Sequence, residues 1–225
     1  MTFETELHSN QFKAIIFDLD GTLLNTLKDI ADAMNYVLLD HGFPTHPIDM
    51  YKYFIGNGME KLVARTLPKK VATPTSIPKY LKALQATYAQ KWQSTTRPYP
   101  GIPTLLSRLS QKDIRLAILS NKAHEFTLRM ATALLAQWRF QKILGAGSEF
   151  PKKPNPKAAL HILKQMNIGC EECILVGDSG IDMQTATAAG IFPIGVTWGF
   201  RPESELLDNG CRFIARHPLD ILDLF

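Results

Sequence analysis

Cysteine is scarce in this chain: its 225 residues include three. That number excludes a disulfide-stapled scaffold. Cys170 and Cys173 form a C-x-x-C pair, but no second pair and no suitably spaced histidines complete a zinc site. Cys173 stands where a strand is expected to begin rather than at the head of a helix, so a redox motif is not expected either. Long apolar runs are also missing, and no segment approaches the roughly 18 apolar residues of a membrane-spanning helix. The polar opening MTFETELHSNQ has no apolar signal-peptide core, so a cytoplasmic protein without a membrane partner is expected. Net charge is only +4, and lysine and arginine are scattered without a basic stripe or interleaved aromatics, so no nucleic-acid partner is expected. The six histidines (8, 41, 46, 124, 161 and 217) show no ligand spacing and are expected to be surface or packing residues. Trp92, Trp138 and Trp198 are expected to pack. There is no internal repeat and no low-complexity tract.

What the chain does have is 45% hydrophobic and 20% charged residues, enough to build a core in one large domain or in a domain with a smaller insert. Three short apolar runs share one form. FKAIIFD ends at Asp18, IRLAILS at Ser120 and CILVGD at Asp178; a fourth, FPIGVTW, follows Gly190. Such β-branched runs suit strands buried on both faces. Between them lie the helix-like stretches IPTLLSRLSQK, HEFTLRMATALLAQ, PKAALHILKQMN and DMQTATAAG, the last two starting near Pro156 and Asp182. This alternation predicts a parallel α/β sheet.

About 100 residues separate the first run from the second, far more than a crossover helix requires. The intervening LKDIADAMNYVLLDHG, GMEKLVARTL and IPKYLKALQATYAQKWQ read as helices, punctuated by Pro44, Pro47, Pro68, Pro74 and Pro78. STTRPYPG looks like the return linker. The expected organisation is a core of residues 1–24 and 98–225, with a helical cap of residues 25–97 inserted after the first strand.

Ligands of open α/β sheets bind beyond the carboxyl ends of the strands, where Asp18, Ser120 and Asp178 are expected. In extended chain, residues i and i+2 point the same way, so Asp18 and Asp20 can face one pocket, and Gly21 then permits a sharp turn. Two carboxylates about 4 Å apart repel by about 4 kcal/mol at an effective dielectric near 20. A divalent cation removes that cost, and oxygen ligands suit Mg²⁺. Asp178 adds a third acid and Asp182 a fourth. Lys153, just before Pro154, belongs to a stretch expected to approach the same end. A hydroxyl, an ammonium and a metal together suit a phosphoryl group, and a carboxylate can itself act as the nucleophile.

Asp18-Leu19-Asp20-Gly21-Thr22, Ser120-Asn121, Lys153-Pro154 and Gly177-Asp178-Ser179 with Asp182 resemble, in order, the four motifs of the haloacid dehalogenase-like hydrolase superfamily. The resemblance covers nearly the whole chain from Phe12 onward. It implies a Rossmann-like parallel sheet core with an inserted α-helical cap, and a Mg²⁺-dependent hydrolase acting on a small-molecule phosphate monoester. The sequence leaves monomer and homodimer both open. Asp18 would be the nucleophile, with Asp20 as acid and then base. Ser120 and the Asn121 amide would hold phosphoryl oxygens, and Lys153, rather than its neighbour Lys152, would neutralise charge. Asp18, Asp178 and the carbonyl of Asp20 would bind the metal. Asp182 would act through water or by holding Lys153. Relatives often have an acid where Asn25 stands; here Asn25 is expected to cap the following helix. Dehalogenases of the superfamily lack an acid at the position of Asp20, so its presence favours phosphate chemistry.

The stretch YFIGNGMEKLVARTL resembles the cap signature of phosphoglycolate phosphatases, and TWGFRPESELLDNGCRFIARHPLDI resembles their tail. The amides near Asn57 and Gly58, with Lys61 or Arg65 nearby, are expected to meet the carboxylate of 2-phosphoglycolate. The competing readings are a broad sugar- or nucleotide-phosphate phosphatase, a β-phosphoglucomutase and a pyrophosphatase. A phosphoacceptor receiver domain is a rival of a different class. Against it stand the length of the chain, an acceptor after the first strand, and Asp20, which is placed to hydrolyse an acyl-phosphate.

Overall fold

In the computed structural model residues 11–147 and 149–225 are described. The polar opening up to residue 10, with His8, and residue 148 lie outside the described residues. The first strand, β1 (Ala14–Phe17), is buried throughout and sits at the centre of the sheet. Its side chains alternate between two cores. Ile15 and Phe17 enter one, Ala14 and Ile16 the other, which explains why the run carries no polar residue. After it come β2 (Leu24–Asn25), α1 (Leu27–Asp40), α2 (Tyr51–Phe54), α3 (Met59–Thr66), α4 (Ile77–Lys91) and β3 (Arg97–Pro98). The remainder alternates: α5 (Ile102–Gln111), β4 (Arg115–Ala123), α6 (His124–Leu134), β5 (Phe140–Ala146), α7 (Lys157–Met166), β6 (Cys173–Gly177), α8 (Gly180–Ala189), β7 (Phe192–Val196), α9 (Glu203–Asp208) and β8 (Phe213–Ala215).

Among the described residues, six strands form one parallel sheet in the order β5-β4-β1-β6-β7-β8. The chain builds outward from β1 through β4 to β5, then returns to the other side of β1 for β6. That reversal creates the crevice in which ligands of such sheets bind. Phe17 is in register with Ile118 and with Val176, so the residues just beyond them emerge together. The short antiparallel pair β2–β3 marks where the chain leaves the sheet and returns. Between them α1 packs on α4 and α3 on α4, and their interior is continuous with the core on one face of the sheet. No helix among the described residues is long and apolar enough to cross a membrane.

Several elements differ from the expectations. β5 and β8 were not anticipated; both are edge strands, and β5 carries Gln141 and Lys142 in a partly exposed pattern that breaks the apolar run. β4 continues past Ser120 to Ala123, with its pairing to β5 irregular after Leu119. Asn25 does not cap α1. It lies exposed in β2, and Thr26 occupies the N-cap position without a side-chain bond to the helix. The first turn is held instead by Asp29. Its carboxylate accepts from the N–H and hydroxyl of both Thr95 and Thr96, at 2.6 to 3.0 Å, tying α1 to the segment that leads into β3. Finally, α8 begins at Gly180, with Ser179 as N-cap, so Asp182 falls in its first turn.

Candidate active site

Asp18 follows the last residue of β1, and its N–H donates to the Val176 carbonyl at 2.9 Å, which fixes the chain beside β6. Asp178 follows the last residue of β6 in the same way. Gly21 turns the chain between them at φ +89°; a Cβ there would lie 2.3 Å from an Asp178 carboxylate oxygen, so glycine is needed for both conformation and space. Asp178 is 2% exposed, with one oxygen accepting from the Thr22 hydroxyl at 3.3 Å and the other from the Phe200 N–H at 2.8 Å. Lys153 Nζ lies 2.7 Å from Asp18 and 2.5 Å from Asp182. The other oxygen of Asp182 accepts from the N–H and hydroxyl of Ser179, at 3.1 and 2.6 Å. Asp182 therefore caps α8 and holds Lys153 at once.

Charge in this cluster is unbalanced. Oxygens of Asp18, Asp178 and Asp182 approach within 4.8 Å of one another, and one ammonium is hydrogen-bonded to two of the three acids. Burial pushes the Asp18 carboxyl up to about 6; Lys153 opposes the shift and Asp182 adds to it. Asp178 is held well above the usual carboxylate range, by burial first and then by the charges of Asp18 and Asp182. Burial works against the Lys153 ammonium, but Asp18 and Asp182 outweigh it and raise its pKa. A site that makes buried carboxylates costly to ionise, and offers only oxygen donors, has the composition that suits a hard divalent cation.

Asp20 has a partner that the sequence did not suggest. Lys122 Nζ lies 3.1 Å from each of its oxygens, buried, and 4.7 Å from the ring centroid of Tyr88 on α4. Burial opposes this charge too, yet Asp20 and Tyr88 hold the Lys122 pKa above its ordinary value. The one available signal was its place directly after Ser120-Asn121. Ser120 Oγ accepts from the Lys122 N–H at 3.3 Å. Asn121 Nδ2 donates to the Lys153 carbonyl at 3.0 Å and to the Gly56 carbonyl at 3.1 Å, joining the sheet end to the loop after α2. Its Oδ1 is buried and has no hydrogen-bond partner among the described residues.

These groups line a narrow cavity of about 50 Å³, with Ile30, Ile55, Met59, Leu62 and Phe200 as its apolar wall. Gly56 and Gly58 border it from the helical segment; Asn57, Lys61 and Arg65 do not. The Asn57 side chain turns instead to Arg65, whose Nη2 donates to its Oδ1 at 2.7 Å, while Arg65 Nη1 donates to the Phe54 carbonyl at 3.0 Å. Lys61 is exposed. Lys152 is exposed beside Gly58, so of the two adjacent lysines it is Lys153 that meets the carboxylates. Arg201 lines the cavity and was not anticipated. His46 is a packing residue that hydrogen-bonds the Thr66 carbonyl at 2.8 Å. The cysteines are free, and Cys173 opens β6.

Carboxylates, a buried ammonium and a hydroxyl at the carboxyl end of a parallel sheet suit chemistry on phosphoryl groups, the chemistry of the phosphatases. The chain belongs to the haloacid dehalogenase-like hydrolase family, whose model matches residues 15–196. It is 35% identical over 208 residues to a phosphoglycolate phosphatase of Nitrosospira multiformis, covering 90% of this chain and 91% of that relative. Two solved structures superpose with a TM-score of 0.87. One is from Lactobacillus delbrueckii subsp. bulgaricus, at 30% identity over 93% of this chain and 96% of that one. The other is a predicted phosphoglycolate phosphatase from Haemophilus somnus, at 27% identity over 95% and 98%. Within the family the chain is phosphoglycolate phosphatase-like, a phosphoric monoester hydrolase.

Proposed function

We propose that the protein hydrolyses 2-phosphoglycolate to glycolate and phosphate, with Mg²⁺, through an aspartyl-phosphate. The observation that carries the chemistry is the buried grouping of Asp18 with Lys153, and of Asp20 with Lys122, at the end of the central strand. An Asp18 oxygen attacks phosphorus as the bond to the ester oxygen breaks, and Asp20 delivers a proton to that oxygen as glycolate leaves. Asp20, now ionised, takes a proton from water. The water oxygen attacks the same phosphorus, the bond to Asp18 breaks, and phosphate is released. Lys153 holds Asp18 ionised and offsets the charge of the phosphoryl group. Ser120 and the Asn121 amide hold its oxygens. Asp18, Asp178 and the Asp20 carbonyl would hold Mg²⁺, which when bound neutralises the carboxylates and polarises the phosphoryl group. The all-oxygen donors and the raised pKa values of Asp18 and Asp178 fit that cation.

Residues 25–97 serve as the cap in this reading. The narrow cavity and the name of the Nitrosospira relative support a small substrate; Gly58 borders the cavity, and in this reading the substrate carboxylate would meet the backbone amides near Asn57 and Gly58 there. The test is to quench the enzyme during turnover and reduce it with borohydride, which converts an aspartyl-phosphate to homoserine. Homoserine at position 18 is expected, and its absence during rapid turnover would contradict the covalent route.

A further inference from the structure

Among the described residues, three cationic side chains line the cavity: Lys122, Lys153 and Arg201. The two lysines are engaged by carboxylates of the reaction centre. Arg201 stands apart. It follows Phe200, whose N–H orients Asp178, yet its guanidinium reaches the helical segment. Nη1 donates to the Lys52 carbonyl, and Nη2 to the Ile55 carbonyl at 2.9 Å. Tyr53 presents its ring 5.7 Å away, and Glu205 lies 3.4 Å from Nε. The side chain is 10% exposed, and the Glu205 carboxylate partly offsets its charge.

A guanidinium carries five N–H donors, two on each Nη. The two carbonyls take one from each, leaving each Nη one N–H for a further acceptor. Arg201 shares the cavity wall with Ile55, Met59, Leu62 and Phe200, apolar neighbours that strengthen a charge-assisted bond to an anion. Lys61, Arg65 and Lys152, cations near the Gly56-Asn57-Gly58 turn, are not among the residues that line the cavity. We propose that Arg201 determines specificity by binding the carboxylate of a small carboxylated phosphate monoester, while its carbonyl bonds hold the loop around Gly56 against the site. The proposal rests on the monoester-phosphatase reading above and names the side chain that selects within it.

The experiment compares kcat/KM for 2-phosphoglycolate with that for 2-hydroxyethyl phosphate, which has an alcohol in place of the carboxylate, in wild type, R201Q and R201K. R201Q is expected to lose at least tenfold more on the carboxylate ester than on the hydroxyl ester, chiefly through KM. R201K should recover part of the difference. Equal losses on both esters would reduce Arg201 to a loop anchor and overturn the proposal. No loss on either ester overturns it too; both outcomes leave the phosphoglycolate reading standing, whereas a wild type that does not discriminate overturns both. E205Q supplies an independent arm if the Arg201 variants fold poorly. Removing the neutralising carboxylate should lower KM for 2-phosphoglycolate relative to the hydroxyl ester by severalfold, and a rise or no change counts against the proposal.

Discussion

At the scale of single residues, the site is a set of acids that fold at an electrostatic cost. Asp18, held near 6, and Asp178, held higher than usual, bind protons more tightly in the folded chain than in the unfolded one. In metal-free buffer the Asp18 contribution to stability therefore falls as pH rises from about 4 through about 6, and that of Asp178 falls as pH rises through its own raised value, because the unfolded chain ionises first. A cation that binds the same oxygens reverses the penalty. Mg²⁺ at 100 times its dissociation constant should add about 2.7 kcal/mol at pH 7. For a chain of this length that raises Tm by roughly 5–10 °C. Toward pH 5 protons compete for the carboxylates and the gain should shrink. Thermal melts with Mg²⁺ and with a chelator at both pH values check this; a Tm indifferent to Mg²⁺ would contradict the metal assignment. Asp18, Asp178 and Lys153 were legible in the sequence because each stands at a strand end or in a short motif. Lys122 and Arg201 were not. Their partners are Asp20, 102 residues away, and the carbonyls of Lys52 and Ile55, 149 and 146 residues away, so only the folded chain brings them together.

At the scale of elements, two joints hold the helical segment in place. The first is Asp29, whose hydrogen bonds to Thr95 and Thr96 connect α1 with the return of the chain. Burial alone would raise its pKa, but those bonds outweigh burial and hold it below the usual range. Its contribution is present above the ordinary carboxylate pKa and is lost as pH falls through the lowered value. D29N should destabilise the protein by about 2 kcal/mol at pH 7, a fall in Tm of roughly 4–8 °C. The gap to wild type should close in acid, and a gap of equal size at pH 3 and pH 7 would refute the account. The second joint is the Gly56-Asn57-Gly58 turn. Gly58 has φ +90°, and a Cβ there would lie 3.0 Å from Lys152 Nζ. G58A strains the backbone by on the order of 1–3 kcal/mol. It should raise KM for 2-phosphoglycolate more than for 2-hydroxyethyl phosphate; equal effects on both would make the turn a mere connection. The helices of this segment were legible from apolar spacing, apart from the four-residue α2, which is too short to carry a periodic signal.

At the scale of the whole molecule, the sheet order decides where the chemistry sits. β1, β4, β6 and β7 were readable because burial on both faces demands unbroken apolar runs, while the edge strands β5 and β8 lack that demand. The order around β1 gathers motifs spread from Asp18 to Asp182 into one cavity beside the helical segment. On the proposed function, this gathering makes a phosphatase selective for 2-phosphoglycolate. The most direct test is kcat/KM with Mg²⁺ for that ester beside pyrophosphate, β-glucose 1-phosphate, a nucleoside monophosphate and an aryl phosphate, with D18N as control. The account predicts a lead of about a hundredfold for 2-phosphoglycolate, equivalent to about 2.7 kcal/mol of transition-state preference, and no measurable turnover by D18N. A broad profile with no leading metabolite would contradict the substrate, and undiminished turnover by D18N would contradict the mechanism itself.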